Sequence, residues 1–331
     1  MNNKNLPTDW TFHEVWNSAF EKRNSRPVVE RDYLWASELG KSAIDVYLRL
    51  KGTEPTNIPD SRALRKMEAG NYFEYLVKLI LLRAGVLSSS QERVEHQFDG
   101  LMKVTGRLDF IGGGMPNYEE TKKFLEEEDA PETLKQSCFD VVEYLLGKYP
   151  DGVGEKIIEV KSVSLIAFEK IMRKNEPIDS HLNQLTHYML GKQMPGMLLY
   201  LCRDDMRMCA FDYVITDELI TRQKERVQFL TGVYNSDKEP EKEPLFMFDD
   251  FELKFVRNFN VQYSNYLTKL YNFEHPENYA EMATKTLSRW NRVLTRIKDG
   301  KDMTDNNLEA LNEIAEHGFD VSIISKTITQ K

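Results

Sequence analysis

Cysteine is scarce in this chain: Cys138, Cys202 and Cys209 are all it has in 331 residues. Three scattered thiols exclude a disulfide framework, and unaided they cannot supply the four thiolates of a zinc or iron–sulfur centre. Long apolar runs are missing as well. No stretch of about 18 or more apolar residues occurs, so no transmembrane helix is expected. The opening Met1-Asn2-Asn3-Lys4-Asn5-Leu6-Pro7 has no apolar signal core, and a cytoplasmic location away from any membrane is the expectation. There is no P-loop, no internal repeat and no low-complexity tract.

Positive charge is also in deficit: 44 Lys and Arg stand against 53 Asp and Glu, a formal net charge of −9. That balance argues against a nonspecific nucleic-acid coat, which is usually basic. The deficit is uneven, however. Between Gly112 and Gly154 ten acids face four lysines, so this segment alone carries −6. What the chain does have is length and apolar residues, 41% of the total, enough for a substantial core in one elaborated domain or two.

Periodicity and punctuation predict helices over 11–23 and 34–51, then a strong helix from Arg62 to Ala84 with Met67, Phe73, Leu76, Val77, Ile80 and Leu81 as its apolar stripe and Gly85 as C-cap. Val94 to Phe98, the Asp99-Gly100 turn and Leu101 to Ile111 read as a β-hairpin. The acidic stretch from Tyr118 to Tyr149 reads as helical. A strand from Lys156 to Val163 follows, then helices over 165–173 and from Asp179 or Ser180 to about Gln193. A hairpin (197–202 and 206–214) and a helix capped by Thr216 or Asp217 come next, and the chain from Leu253 onward reads as mostly helical. The expected fold class is α/β: a central mixed sheet flanked by helices, with an acidic helical insertion at 112–154 and a helical C-terminal extension. The expected division is an N-terminal helical region (1–61), a core (62–216) and a helical C-terminal region (217–331).

Chemistry concentrates in three short pieces: Gly106-Arg107-Leu108-Asp109, Glu159-Val160-Lys161 and Gln184-Leu185-Thr186-His187-Tyr188. Alternation along a strand puts Glu159 and Lys161 on one face and Ile158 and Val160 on the other. Two carboxylates and an ammonium at one sheet edge are what a Mg²⁺-dependent phosphodiester hydrolase needs. Asp109 and Glu159 are hard oxygen ligands, with the Val160 carbonyl as a third donor. Lys161 can orient or deprotonate the attacking water and offset charge developing at phosphorus. Glu74, on the preceding helix, is a further metal-ligand candidate, with Glu68 as its competitor. Arg107 shares the face of Asp109 if the strand is regular, and is read either as a phosphate contact or as a surface residue. His181 and His187 flank Gln184 and read as packing or substrate contacts before metal ligands. Lys170, Arg173 and Lys174 form a short basic cluster, a solvated face or a backbone contact.

These motifs, in this order, resemble the PD-(D/E)xK nuclease superfamily in its RecB-like, λ-exonuclease-like branch, from about Trp35 to Thr216 with a looser tail to about Tyr266. Ser37-Glu38-Leu39-Gly40-Lys41-Ser42 is similar to the family's opening segment, and Gly70-Asn71-Tyr72-Phe73-Glu74 to the helix motif near its metal. The strand motif matches at Asp109, Glu159 and Lys161, the helix motif at Gln184 and Tyr188, and Leu199 to Asp204 resembles the family's next strand. The resemblance implies a Mg²⁺- or Mn²⁺-dependent deoxyribonuclease, an exonuclease of DNA recombination, replication or repair, phage enzymes among its relatives. It implies that Asp109, Glu159 and Glu74 serve the metal, and that Gln184 and Tyr188 position substrate. Several relatives carry an Fe–S cluster; here Ser42 stands at its first cysteine position and 259–266 contains no cysteine, so no cluster is expected. Two other readings stay open. One is a structure-specific or restriction-type endonuclease. The other is a non-catalytic module that binds DNA, a helicase, a polymerase or a single-strand-binding protein, for which the acidic insertion and the C-terminal helices would be the docking parts.

Overall fold

The structure is a computed structural model that describes Thr11 and residues 28–127, 132–236 and 238–330. The helix expected over 11–23 lies, but for Thr11, outside the described residues. The elements run β1 (Tyr33–Trp35), α1 (Ala43–Leu50), α2 (Ser61–Arg83), β2 (Leu87–Ser90), β3 (Arg93–His96), β4 (Lys103–Arg107) and β5 (Phe110–Gly114). Next come α3 (Tyr118–Glu127), α4 (Glu132–Lys148), β6 (Val153–Val163), α5 (Leu165–Lys174), α6 (Asp179–Lys192), β7 (Gly196–Cys202), β8 (Met208–Tyr213) and α7 (Asp217–Asn235). The chain ends with β9 (Phe246–Asp249), β10 (Lys254–Arg257), α8 (Phe259–Gln262), α9 (Leu267–Tyr271), α10 (Pro276–Lys298), α11 (Asp305–Glu316) and α12 (Val321–Gln330). Two compact units emerge. Of the described residues, one takes those up to Lys41 with Leu50–Gly52 and 59–236, and the other Ser42–Arg49, Thr53–Ile58 and 238–330.

The first unit holds a five-stranded mixed sheet in the order β2-β5-β6-β7-β8 and a three-stranded sheet in the order β1-β4-β3. β6 is central: it runs antiparallel to β5 and parallel to β7. The parallel pairing requires a crossover, which α5 and α6 supply. Ile158 and Val160, on one face of β6, pack with Val77, Phe73 and Leu81 of α2 and with Phe110. Asp60 caps α2, its Oδ1 accepting from the Ala63 N–H at 2.7 Å. α6 covers the opposite face, where its Leu185 and Met189 close on Gly196 so tightly that a Cβ there would fall 2.7–2.9 Å from them. The α/β class, a mixed sheet flanked by helices, is what the alternating pattern implied.

Two sequence expectations are corrected here. The helix read over 34–51 is really β1, a short 3₁₀ turn (Ala36–Glu38) and, after a break, α1. β1 pairs in parallel with β4, and Gly40, in the break before α1, lies against Ser180. A Cβ at residue 40 would come 2.0 Å from the Ser180 Cβ. The strand read over 101–111 is two strands in two sheets. β4 pairs with β3, β5 with β2 and β6, and the chain changes sheet at Leu108-Asp109. There the Leu108 N–H donates to the Glu92 carbonyl and the Gln91 N–H to the Asp109 carbonyl, each at 3.0 Å.

In the second unit the aromatic rings of Phe246, Phe255, Phe319 and Trp290 form a continuous core with Val293, Leu294, Ala310 and Ile314. Its helices match the expected helical pattern, but β10, which pairs antiparallel with β9, lies where helix was expected from Leu253. Four-residue strands give too little alternation to stand out against a helical background. Trp290 belongs to this core and is fully buried.

Candidate active site

The site forms where β5 begins and β6 leaves it behind. The last paired residues are Phe110 and Ile158, so beyond Ile158 the β6 backbone has no β5 partner on that side. The Asp109 carboxylate takes the place of a strand: its Oδ2 accepts the Val160 N–H at 2.8 Å. Glu159 is completely buried. The Lys161 Nζ donates to Glu159 Oε1 at 2.7 Å and to Gln184 Oε1 at 3.0 Å, and Gln184 Nε2 donates to the Tyr188 hydroxyl at 3.1 Å. One chain of contacts therefore joins Glu159, Lys161, Gln184 and Tyr188, each member fixing the orientation of the next.

Gly106 makes room for the last link. A Cβ on residue 106 would lie 2.8 Å from the Tyr188 hydroxyl and 2.9 Å from the Ala36 Cβ. The glycine of the Gly-x-x-Asp motif is thus a packing requirement. The main chain of Arg107 also reaches the Tyr188 hydroxyl. The side chain of Arg107 is exposed, and because the chain changes sheets before Asp109, the two residues do not continue one strand face.

Glu74 approaches from α2. Its charge acts on Asp109 and Lys161, and its Oε1 accepts from Gln91 Nε2. Gln91 is the residue that sequence reasoning missed. It sits at φ +57, a conformation most non-glycine residues avoid, and its backbone N–H is the donor that holds Asp109 at the strand break. Nothing in its sequence neighbourhood signals this, because the role depends on where β2 and β3 separate.

The electrostatics are those of crowded anions. Burial, and then the neighbouring Glu159 charge, push Asp109 well above the ordinary carboxylate range. Burial raises Glu159 too, although Lys161 opposes it. Glu74 is raised by burial and by Glu159. Burial alone would push Lys161 down, but Glu159 and Asp109 more than offset this and hold it above the ordinary lysine value. Lys161 is therefore a cation at neutral pH, suited to orienting groups and stabilising negative charge rather than to removing a proton. Tyr188 is raised as well, through burial, and stays a neutral hydroxyl.

Among the described residues no three His, Cys, Asp or Glu side chains already converge as a finished metal cage. The donor set nevertheless suits a hard cation. Glu159 Oε2 is buried with no hydrogen-bond partner, and Asp109 and Glu74 crowd the same edge. A divalent ion would supply the positive charge that these oxygens lack. The histidines do not fit this set. His187 Nε2 lies 3.3 Å from the Val94 carbonyl, and burial pushes the group down to about 4. His181 Nδ1 lies 3.1 Å from the Tyr200 hydroxyl, and burial followed by the Lys161 charge pushes it down to about 3.

No protein-family model and no curated protein sequence matches the chain. Solved structures that it resembles include SSO0001 (14% identity, TM-score 0.37, covering 68% of this chain and 89% of that one). Another is the alkaline exonuclease LHK-Exo from Laribacter hongkongensis (13%, TM-score 0.36, 67% and 92%), also solved in complex with dAMP. A third is a phage related exonuclease from Haemophilus somnus 129PT (15%, TM-score 0.27, 61% and 93%).

Proposed function

We propose that the protein is a Mg²⁺- or Mn²⁺-dependent DNA nuclease, most simply an exonuclease of recombination, replication or repair. The observation that carries the reading is the buried Glu159, one oxygen held by Lys161 and the other without a partner, beside an Asp109 whose charge is disfavoured by burial and crowding. Asp109, Glu159, the Val160 carbonyl and Glu74 would hold the metal. A bound divalent ion supplies Lewis-acid polarisation of a phosphate and acidification of a water.

The chain's own residues do the rest. Lys161 keeps its proton and offsets charge that develops on a phosphate oxygen. Gln184, held between Lys161 and Tyr188, fixes the ammonium in place and offers its amide edge to substrate. Tyr188, neutral and buried, supports Gln184 from behind. Arg107, exposed on the β4 side of the strand break, would be a phosphate contact outside the metal edge itself. The acidic insertion, with helices α3 and α4, lies outside this chemistry.

The test is incubation of purified protein with end-labelled linear and covalently closed DNA in Mg²⁺, Mn²⁺ or EDTA, beside Lys161→Ala. Metal-dependent loss of linear DNA only, abolished by the substitution, is the expected result. Cleavage of the closed circle would make the protein an endonuclease. Cleavage that persists in EDTA, or in both Lys161→Ala and Asp109→Ala, would overturn the assignment.

A further inference from the structure

Helix α2 carries a second stripe beside the apolar one that meets the sheet. Asn71, Glu74, Tyr75 and Lys78 recur at i, i+3, i+4 and i+7 and so share a helix face. Together with Gln91 and Phe110 they line a groove of about 310 Å³, at the lower end of the range for sites that take a small molecule or one unit of a polymer. The groove adjoins the site already described, because Glu74 belongs to both and Phe110 follows Asp109.

Its lining combines two rings, two amides, a carboxylate and a cation. Phe110 is almost wholly buried, whereas Tyr75 is 56% exposed, a ring left open on the side of the helix that also exposes Tyr72. Two amides, Asn71 and Gln91, each give one N–H to a carboxylate, Glu68 and Glu74, and keep their carbonyl oxygen and second N–H for a ligand. Gln91 is held in a left-handed conformation, a backbone cost that persists only where surrounding contacts fix it. Lys78 adds a cation whose charge reaches Glu74. An exposed ring, amide edges and a single cation match a nucleoside and its phosphate: the ring stacks on any base, the amides meet base edges, and the ammonium meets the phosphate. In a chain of net charge −9, such local cations are what let an anionic strand approach.

We propose that this groove is a nucleotide subsite, which seats one nucleoside of the strand being cut with its base against Tyr75 and its outer phosphate at Lys78. The assignment rests on the nuclease reading above. Tyr75 and Lys78 are binding residues of the subsite and carry no part of the hydrolytic step.

The experiment uses the full chain, with binding of a fluorescein-labelled single-stranded oligonucleotide measured by anisotropy in Ca²⁺, and KM and kcat measured in Mg²⁺. Tyr75→Ala should weaken binding and raise KM by about 5- to 150-fold, the range for losing one base stack, with little change in kcat. Tyr75→Phe should restore wild-type values, because it keeps the ring. Lys78→Ala should weaken binding and reduce its salt dependence by about one phosphate contact. An abasic position moved along the oligonucleotide should weaken wild-type binding at one place, and Tyr75→Ala should be insensitive there. A wild-type protein that cuts DNA while Tyr75→Ala and Lys78→Ala keep its affinity and KM would overturn the subsite alone. A wild-type protein that cuts no DNA in Mg²⁺ or Mn²⁺ would instead overturn the nuclease reading.

Discussion

Glu159 on β6 and Trp290 on α10 are both fully buried, yet their polar atoms fare differently. The Trp290 Nε1 donates to Glu313 Oε2 at 2.9 Å, and the rings of Phe246 and Phe255 lie 4.7 and 5.0 Å away. Glu159 has one oxygen on Lys161, and its Oε2 is buried without a hydrogen-bond partner, only the main chain of Asp109 acting on the carboxylate from nearby. The aromatic core is satisfied as it stands. The β6 edge is not, and unsatisfied buried polar groups in a native fold call for a reason. Substitutions should therefore differ in kind: in the core they should cost stability alone, whereas at the edge they should cost function, and those that remove an unbalanced negative charge can add stability.

The largest effect expected is at Lys161. On the nuclease reading, Lys161→Ala removes the cation that would orient groups and offset charge, and should lower kcat by roughly 10²–10³ or more. It also strands Glu159, and breaking a buried pair from one side costs about 3–5 kcal/mol. Circular dichroism and denaturant unfolding separate the two losses. Glu159→Gln combined with Lys161→Met removes both charges and should recover most of the stability while activity stays absent. Recovery of cleavage in that double variant would break the comparison.

Trp290→Ala should cost about 3–5 kcal/mol, the usual range for a large aromatic removed from a core, read as a lower denaturant midpoint. A loss below about 1 kcal/mol would mean that this core is loosely packed.

Much of this was legible in the sequence because it rests on local periods. The alternation of Ile158, Glu159, Val160 and Lys161 separates a core face from a chemical face, and the structure keeps that separation. The i, i+4 spacing of Gln184 and Tyr188 puts them on one helix face, and their side chains meet at 3.1 Å. What stayed hidden depends on chain partners distant in sequence. The change of sheet at Leu108-Asp109 is set by which strands lie beside β4 and β5. Gln91 serves Glu74 and Asp109 through a loop conformation that no period encodes. β10 was lost in the stretch read as helical because four residues cannot outweigh a helical background.

Asp109→Asn sharpens the edge side of the comparison through pH. Asp109 is raised in the folded protein, so its contribution to stability is fully present below the ordinary carboxylate range and lost as pH rises through the folded value. At neutral pH in EDTA the buried carboxyl, raised in the fold, is a burden, and the asparagine should raise stability by roughly 0.5–2 kcal/mol. The gain should shrink towards pH 4 and vanish below it. Millimolar Mg²⁺ should stabilise the wild type, by about 2.7 kcal/mol at one hundred times its dissociation constant, and stabilise the variant much less. A variant that is less stable than the wild type in EDTA at pH 7 would show that the carboxylate is already well satisfied without a metal.

The smallest effect should come from Gln91→Gly, and its near absence is the informative part. Glycine accepts φ +57 without the roughly 1 kcal/mol that a side chain costs in that region. Against this stand the greater freedom of glycine in the unfolded chain, about 0.4–1 kcal/mol, and the lost hydrogen bond to Glu74, about 0.5–1.5 kcal/mol. The net change in stability should therefore stay within about 1 kcal/mol. Glu74 does change: without the Gln91 donor, which lowers it, the carboxyl should rise further above its ordinary value. Metal binding followed by calorimetry should then release more protons and weaken more steeply as pH falls. A variant with the metal affinity and pH dependence of the wild type would take Glu74 out of the metal site and leave Asp109 and Glu159 to hold it.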